Sequence, residues 1–165
     1  MKKILSQKVA RVLSKKKKLE KELNVKITNR GKEFFIDGNP ENEYTAEKVI
    51  DALNFDFPFD IIMLIKSENF SFEILNIKDY TKRHDLERIR ARIIGKGGKT
   101  LKTLSNLTKC YLELKDNNIG IIGDVEYIKK AEEAVVAIIK GAKQSNVYSF
   151  LEKNQIKPVI DLGLK

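Results

Sequence analysis

The sequence has little of the chemistry that most enzymes and metalloproteins need. Its 165 residues include one cysteine, Cys110, one histidine, His84, and no tryptophan. A single cysteine excludes a disulfide within the chain, and one cysteine with one histidine cannot complete a Cys/His zinc site. Cys110 lies in a strand-like run with no nearby base, and His84 stands at a predicted helix start. We therefore expect no enzyme activity, no metal and no cofactor.

Long hydrophobic stretches are also missing. An uninterrupted apolar run such as Ile61–Ile65 is far shorter than the roughly 20 residues that cross a bilayer. The N-terminal residues are basic and lack an apolar stretch of signal-peptide length. With 42% hydrophobic and 33% charged residues, the composition is typical of a globular protein. We expect no membrane partner and a cytoplasmic location.

Positive charge, in contrast, is plentiful. Lysine and arginine number 32 against 23 acidic residues, which gives a net charge of +9. This balance indicates a polyanionic partner. Between Lys82 and Lys102, eight basic residues stand against only Asp85 and Glu87. A second basic run, Lys15–Lys18, has as its default interpretation a solvated helix face.

The second half of the chain predicts the element order β-α-α-β-β-α. The run Phe70–Ile77 is rich in strand-forming residues. Apolar residues at helical spacing then predict two helices, one before and one after a glycine-rich loop. An alternating run and the turn Asp116–Asn118 predict a hairpin, and a last apolar stripe predicts a helix from Ile128 to about Lys140.

The first half follows the same order less clearly. It predicts a helix over Lys8–Leu23, strands at Val25–Thr28 and Glu33–Ile36, and a helix over Ala46–Leu53. We predict an α+β fold of two tandem units, in which the first is degenerate and a C-terminal helix follows the second. The expected domains are residues 1–68 and 69–165.

The loop of the second half is Gly95-Lys96-Gly97-Gly98. Glycines permit positive φ angles and let backbone amides approach phosphates, while the following helix presents its positive dipole. Lys96 and Lys99 would add charge. This pattern predicts a grip on a nucleic-acid backbone.

Two other interpretations compete for this loop. Gly98-Lys99-Thr100 matches the end of a Walker A loop. That motif, however, needs glycine at position 93, where this chain has Ile93. It also needs a strand before the loop, where a helix is predicted. The other alternative is a plain helix-turn-helix in which the glycines only allow close packing. The local charge and the element order favour phosphate binding over both.

In this element order, the segment Ile93–Leu101 resembles the loop of KH domains of the eukaryotic topology, called type I. The resemblance implies that the loop clamps the backbone of four nucleotides of single-stranded RNA and that unpaired bases lie in an adjoining groove, with the strand near Tyr111 alongside. The first unit resembles a KH domain without its clamp, because no GXXG follows Val12–Ser14 where the match to the second unit would place it. The predicted RNA-binding residues are Arg90, Arg92, Ile94, Gly95, Lys96, Gly97, Gly98, Lys99, Thr100, Leu101, Lys102 and Tyr111.

The two units, followed by Gly141–Lys143 and Val147–Glu152, resemble the archaeal relatives of the eukaryotic small-subunit rRNA processing factor called Partner of Nob. That family implies a ribosome-assembly factor that binds the 3′ region of small-subunit rRNA. It also implies the endonuclease Nob and the alpha subunit of initiation factor two as partners. A protein-interaction adaptor with secondary RNA binding is the alternative, and duplex DNA binding also stays open.

Overall fold

The structure, a computed structural model, describes residues 1–155. Its first half has the elements β1 (Lys2–Leu5), α1 (Val9–Leu23), β2 (Lys26–Arg30), β3 (Glu33–Asp37) and α2 (Pro40–Ala52). A short helix, α3 (Phe59–Ile62), continues into a 3₁₀ turn at Met63–Lys66. The second half has β4 (Phe70–Asn76), α4 (Leu86–Ile94), α5 (Lys99–Thr108), β5 (Tyr111–Lys115), β6 (Asn118–Asp124), α6 (Val125–Ile139) and α7 (Gln144–Lys153).

Each half forms its own antiparallel sheet of three strands. The strand order is β1-β3-β2 in the first sheet and β4-β6-β5 in the second. In both, the last strand in sequence pairs with the other two and lies in the centre. The predicted α+β fold of two similar units followed by a C-terminal helix is therefore confirmed.

The expectation of the same six elements in each half is wrong for the first half. Helix α1 runs without a break where the second half has α4, a loop and α5. The segment Ser14–Leu23 contains no glycine or proline, and it consists mostly of lysine, leucine and glutamate, which are good helix formers. The helix ends at Asn24, whose φ of 53° is left-handed. This half therefore has no loop between two helices.

The second sheet is covered on both faces. Successive residues of a strand point to opposite faces, so Ile121 of β6 packs with the helices of the second half while Ile122 packs into the core of the first half. Phe72 of β4, which pairs with Ile122, also enters the first core. The two halves thus share buried apolar surface.

An aromatic cluster forms the centre of this contact. The ring centroids of Phe55 and Phe57 lie 5.8 Å and 6.2 Å from that of Phe72. Gly120 of β6 lies beneath two of these rings, since a β-carbon on it would approach both Phe55 and Phe57 to 3.1 Å. The segment after α2 is therefore packed firmly against the second sheet.

The C-terminal helix α7 packs on α5 and α6 through the buried residues Val147 and Leu151. Residues 156–165, the end of the expected second domain, lie outside the described residues. Within residues 1–155 no helix combines the length and the hydropathy needed to cross a membrane.

Candidate nucleic-acid interface

The glycine loop joins α4 to α5 through three residues with positive φ. These angles are 77° at Gly95, 63° at Gly97 and 78° at Gly98. Residues other than glycine rarely adopt positive φ angles, so glycine is the residue that forms such a turn without strain. The Gly98 amide donates to the Gly95 carbonyl at 3.1 Å. The loop is thus a tight turn with a defined backbone.

Gly95 and the other two glycines serve different purposes. A β-carbon on Gly95 would lie 2.6 Å from the backbone nitrogen of Thr100. The same atom on Gly97 or Gly98 would meet nothing within 4 Å. Gly95 therefore lets the loop close on α5, whereas Gly97 and Gly98 leave the outer surface of the loop open for a ligand to approach.

The start of α5 is suited to hold an anion. Gly98 is the N-cap of this helix, and no side chain accepts a hydrogen bond from the first-turn amides. First-turn amides have no partner within their own helix, and they carry the positive end of the helix dipole. The Lys99 amide already donates to the Lys96 carbonyl. The amides that follow it in the first turn are therefore the donors that α5 presents beside the positive end of its dipole.

The loop lysines are free to meet a phosphate. Lys96, Lys99 and Lys102 reach solvent, as predicted, and they lie within and just after the turn. Thr100 is different, because only 7% of it is exposed and its side chain lies under Gly95. The Thr100 side chain is therefore a packing element, and a contact between Thr100 and RNA stays a prediction.

Arg92 also departs from its predicted role. Its guanidinium donates to the Ile138 carbonyl at 2.7 Å and to the Ala142 carbonyl. The Arg92 carbonyl in turn accepts from the Gln144 side-chain amide at 3.4 Å. These bonds tie α4 to the junction of α6 and α7, so the Arg92 charge is directed into the protein instead of toward the loop.

Arg90 joins α4 to the β5–β6 hairpin. Its Nη1 donates to Oδ1 of Asn117 in the β5–β6 turn at 2.6 Å. Ile94 follows Arg90 by four residues, so both lie on the same face of α4, and 37% of Ile94 is exposed. This face of α4 and half-buried Leu101 of α5 lie where the resemblance to KH domains places the base-binding groove, here called the groove.

Tyr111 lies on the other side of the sheet from this groove. It pairs with Ile122, whose side chain packs into the core of the first half, and directly paired residues share a face. Its exposed surface borders a depression of 310 Å³ with Ser105, Asn106 and Lys109, near the end of α5. The Tyr111 side chain therefore lies on the sheet face opposite the helices α4 and α5, and its contact with RNA stays a prediction.

Two residues near this face of α4 are missing from the predicted set. Leu114 lies on the helix-facing side of β5, two residues after buried Leu112, and it is only partly buried. Asn117 is the partner of Arg90. The alternation of β5 could have identified Leu114, but nothing in the sequence indicates the bond between α4 and the hairpin turn.

The lone cysteine and histidine stand apart from this interface. Cys110 is buried, and burial raises the pKa of its thiol to about 11. His84 is exposed, just before α4. Among residues 1–155, no three His, Cys, Asp or Glu side chains are grouped to hold a metal ion.

Comparison with known proteins gives one family. Residues 71–156 match the family model for the eukaryotic-type KH domain, KH-domain type I, in the form found as the second KH domain of PNO1. The chain is also 29% identical over 154 residues to a KH domain-containing protein of Methanocaldococcus jannaschii, covering 86% of this chain and 66% of that one. It is 38% identical over 102 residues to the pre-rRNA-processing protein PNO1 of Eremothecium gossypii, covering 61% of this chain and 38% of that protein. The chain thus spans under two thirds of the length of these relatives.

Solved structures agree on the fold. The crystal structure of Dim2p from Pyrococcus horikoshii superposes with a TM-score of 0.85 at 24% identity, covering 93% of this chain and 98% of that one. A second match is a chain in the crystal structure of a complex described as a/eIF2alpha, aDim2p and rRNA from the same organism. It superposes with a TM-score of 0.84 at 24% identity, with 92% of each chain covered. At this identity the likeness concerns the fold.

Proposed function

This chain belongs to the type I KH family in its PNO1 form, and from that premise we propose that it binds single-stranded RNA through the Gly95–Gly98 loop. One observation carries the proposal: the open surface of Gly97 and Gly98 lies beside the uncapped start of α5 and three solvent-accessible lysines. Such a loop provides the backbone clamp by which KH domains hold four nucleotides. The proposed binding residues are then the loop Gly95–Gly98, which includes Lys96, together with Lys99 and Lys102. Arg90, Ile94 and Leu101 would lie along the groove.

The loop double variant Gly97→Asp with Gly98→Asp tests this proposal. Two carboxylates would stand where the phosphates bind, so affinity for a short single-stranded RNA should fall at least about tenfold. Fluorescence anisotropy with a labelled oligonucleotide at fixed salt measures this change. A competing DNA oligonucleotide of the same sequence, single-stranded or duplex, shows whether the sugar and the strand number matter.

The matched control is Gly97→Asn with Gly98→Asn. Asparagine has nearly the size of aspartate and tolerates positive φ better than most residues, but it carries no charge. It should retain most of the affinity. If the folded aspartate variant binds RNA as tightly as the wild type, the clamp is not at this loop.

The proposed target is small-subunit ribosomal RNA near its 3′ end, where the protein would act in ribosome assembly. The support is the PNO1 relatives, whose name describes pre-rRNA processing, and the structural neighbour that was solved in a complex with rRNA. Crosslinking to total cellular RNA should concentrate reads near that 3′ end. Reads spread over messenger RNAs would instead indicate a general RNA-binding protein.

A second candidate function is that of a protein adaptor. The observation that favours it is the structural neighbour in a complex that includes a/eIF2alpha. Purified alpha subunit of initiation factor two, tested with nuclease-treated protein, distinguishes direct binding from binding through RNA. The family resemblance also leads us to propose the endonuclease Nob as a partner, and the same assay applies to it.

We propose that this function involves binding without catalysis in the cytoplasm. The proposed binding surface is built from backbone amides, lysines, an arginine and apolar side chains, and it includes no histidine or carboxylate, the groups that act most often as general acid or base. Incubation with a 3′-extended small-subunit RNA fragment and Mg²⁺ should leave the fragment intact. Cleavage by the pure protein that persists in the presence of inhibitors of contaminating nucleases would overturn this proposal.

We also propose a division into domains at residues 1–68 and 69–165. Each described sheet has its own apolar core, which supports the division. Because Phe72 and Ile122 cross into the first core, we expect the two domains to unfold together. Calorimetry should give one transition, whereas two separated transitions would contradict this expectation.

A further inference from the structure

Strand β4 lies at one edge of the second sheet, next to β6. Hydrogen-bonded and non-bonded residue pairs alternate along an antiparallel ladder. At the two ends of this ladder, the Val125 amide donates to the Asn69 carbonyl at 2.9 Å, and the Ile77 amide donates to the Asn117 carbonyl at 2.8 Å. The odd-numbered residues of β4 are therefore the ones that bond to β6. The even-numbered residues direct their amides and carbonyls away from β6, to the open edge.

The stretch from Phe72 to Asn76 is the accessible part of this strand and is here called the β4 edge. The Lys48 ammonium of α2 donates to the outward Phe72 carbonyl at 3.4 Å, which agrees with the direction derived from the ladder. Ile74 is the next residue whose backbone points outward, and 44% of Ile74 is exposed. The β4 edge thus combines outward backbone groups with an exposed apolar side chain.

A stripe of α2 runs beside the β4 edge. Residues spaced three and four apart share one face of a helix, and this face carries Tyr44, Glu47, Lys48 and Asp51. Lys48 connects the stripe to the strand, since its Nζ lies 5.6 Å from the ring centroid of Tyr44 and also bonds to Phe72. Tyr44 is 58% exposed. One side of the edge therefore offers an aromatic ring and two carboxylates.

The other face of β4 carries a second pair of carboxylates. Glu73 points to the same face as Leu75, which packs with the helices of the second half. Burial, followed by repulsion from Glu73 and Glu133, raises the pKa of Glu132 on α6. Glu73 and Glu132 are therefore neighbours across this face, and both are half-buried.

The surroundings of the β4 edge are acidic, although the protein has a net charge of +9. Four carboxylates border the edge against two nearby lysines: Glu47, Asp51, Glu73 and Glu132 against Lys48 and Lys129. Glu47 also meets the Lys2 ammonium, at 3.9 Å. This charge would repel a nucleic acid and a second copy of the same edge, and it would attract a basic segment.

We propose that the β4 edge binds an extended, basic segment of a partner protein by strand addition. Main-chain hydrogen bonds with the outward amide and carbonyl of Ile74 would supply the pairing. Successive side chains of the added strand point to opposite faces. A lysine or arginine on one face would therefore meet Glu73 and Glu132. A β-branched residue on the other face would cover Ile74 on the side of α2. This inference goes beyond the proposed RNA binding and does not depend on it.

The probe is a capped, labelled peptide of about eight residues in which lysine and valine alternate, a length typical of a strand. Fluorescence anisotropy should show that the wild type binds it. The same peptide with methylated backbone nitrogens should bind at least about tenfold more weakly, because it cannot donate ladder hydrogen bonds. A glutamate–valine peptide should not bind. Hydrogen exchange of the Ile74 amide should slow at least about tenfold when the lysine–valine peptide is bound.

Two pairs of protein variants separate backbone pairing from charge. Proline at an edge position removes the outward amide and leaves the bonds to the next strand in place. Ile74→Pro, checked by its melting temperature, should weaken peptide binding at least about fivefold, whereas Ile74→Thr should weaken it less than about twofold. Glu73→Gln with Glu132→Gln should weaken binding about threefold. Glu87→Gln with Glu152→Gln, the same charge change on α4 and α7, should have little effect.

Several results would overturn strand addition at the β4 edge. These are absence of lysine–valine binding, equal binding of the methylated peptide, and unchanged exchange at Ile74. A dimer in sedimentation equilibrium that Ile74→Pro dissociates would assign the edge to a second copy of the chain. A loss of RNA affinity in Ile74→Pro equal to its loss of peptide affinity would assign the edge to nucleic acid. If Ile74→Pro does not fold, the methylated peptide and the exchange measurement decide.

Discussion

A β-carbon on Gly95 would lie 2.6 Å from the backbone nitrogen of Thr100, closer than non-bonded carbon and nitrogen atoms approach. The loop therefore closes on α5 only because residue 95 is glycine. Gly97, two residues later in the same loop, has open space in the same position. The three positive-φ glycines are thus not equivalent, although they look alike in the sequence motif.

This difference between Gly95 and Gly97 predicts that alanine at each position lowers the stability of the protein by a different amount. Gly95→Ala adds a steric clash to the strain of positive φ and should lower the free energy of unfolding by about 2 to 4 kcal/mol. Gly97→Ala adds the strain alone and should cost about 1 kcal/mol. Urea denaturation followed by circular dichroism measures both. Equal destabilisation of the two variants would show that the closure on Thr100 is not a constraint.

Arg92 should affect stability more than RNA binding. Arg92→Lys keeps the charge but cannot place two donors on the Ile138 and Ala142 carbonyls at once. The free energy of unfolding should fall by about 1 to 3 kcal/mol, with short-RNA affinity little changed. Arg88→Lys, an exposed change on the same helix, should cost less than about 0.5 kcal/mol. A large fall in the RNA affinity of stable Arg92→Lys protein would restore Arg92 to the interface.

The raised pKa of Asp51 predicts that the stability of the protein depends on pH. Burial, followed by repulsion from Glu47, raises its pKa to about 6 from 3.8. An acid with a raised pKa in the folded state binds its proton more tightly there than in the unfolded chain. Its ionisation therefore costs stability above about pH 6, and this cost disappears as the pH falls toward 4.

Asp51→Asn should consequently stabilise the protein at pH 7 by up to about 1 kcal/mol, after allowance for solvent screening at this half-buried site. The gain should shrink to nothing near pH 4, because Asp51 of the folded wild type is then neutral and its burial carries no charge penalty. Melting temperatures of the two proteins across this pH range measure the gain. Asp37→Asn, at an exposed position, serves as the control, and a gain independent of pH would contradict the prediction.

The Cys110 thiol should be chemically inert in the folded protein. Its burial raises its pKa to about 11, so little thiolate exists at about pH 8. Gly123 fits against its side chain, since a β-carbon there would lie 3.1 Å from the Cys110 β-carbon. A thiol-specific chromogenic reagent at that pH should react slowly with native protein and fully in guanidinium. Fast reaction of native protein would mean that this packing opens frequently.

Local chemistry made much of this molecule predictable. The second half follows its sequence pattern closely, because alternation and helical spacing both record which residues face the core. The glycine loop was also predictable, because positive φ angles and the start of a helix depend on residues that are neighbours in sequence. The solvent access of Lys96, Lys99 and Lys102 follows from their position beside that turn.

The sequence-based predictions were less accurate where residues distant in sequence meet in the fold. Tyr111 was predicted to bind RNA, but its strand register places its side chain on the sheet face opposite α4 and α5. Thr100 carries a hydroxyl beside a phosphate loop, but the turn of the chain at Gly95 buries it. The first half was expected to follow the six-element order of the second half, but the segment predicted as helical over Lys8–Leu23 forms one continuous helix, Val9–Leu23.

The sequence by itself determined the family, the element order of the second half and the place of the glycine loop, since each depends on short-range spacing. Only the tertiary structure decided which charges are available to a ligand. Arginine donors are satisfied by whichever carbonyls the fold brings near, so Arg92 is turned inward by residues 46 and 50 positions away. In the same way, the Nζ atoms of Lys15 and Lys18 lie over the ring of Phe59, which the fold places beside their flank of α1.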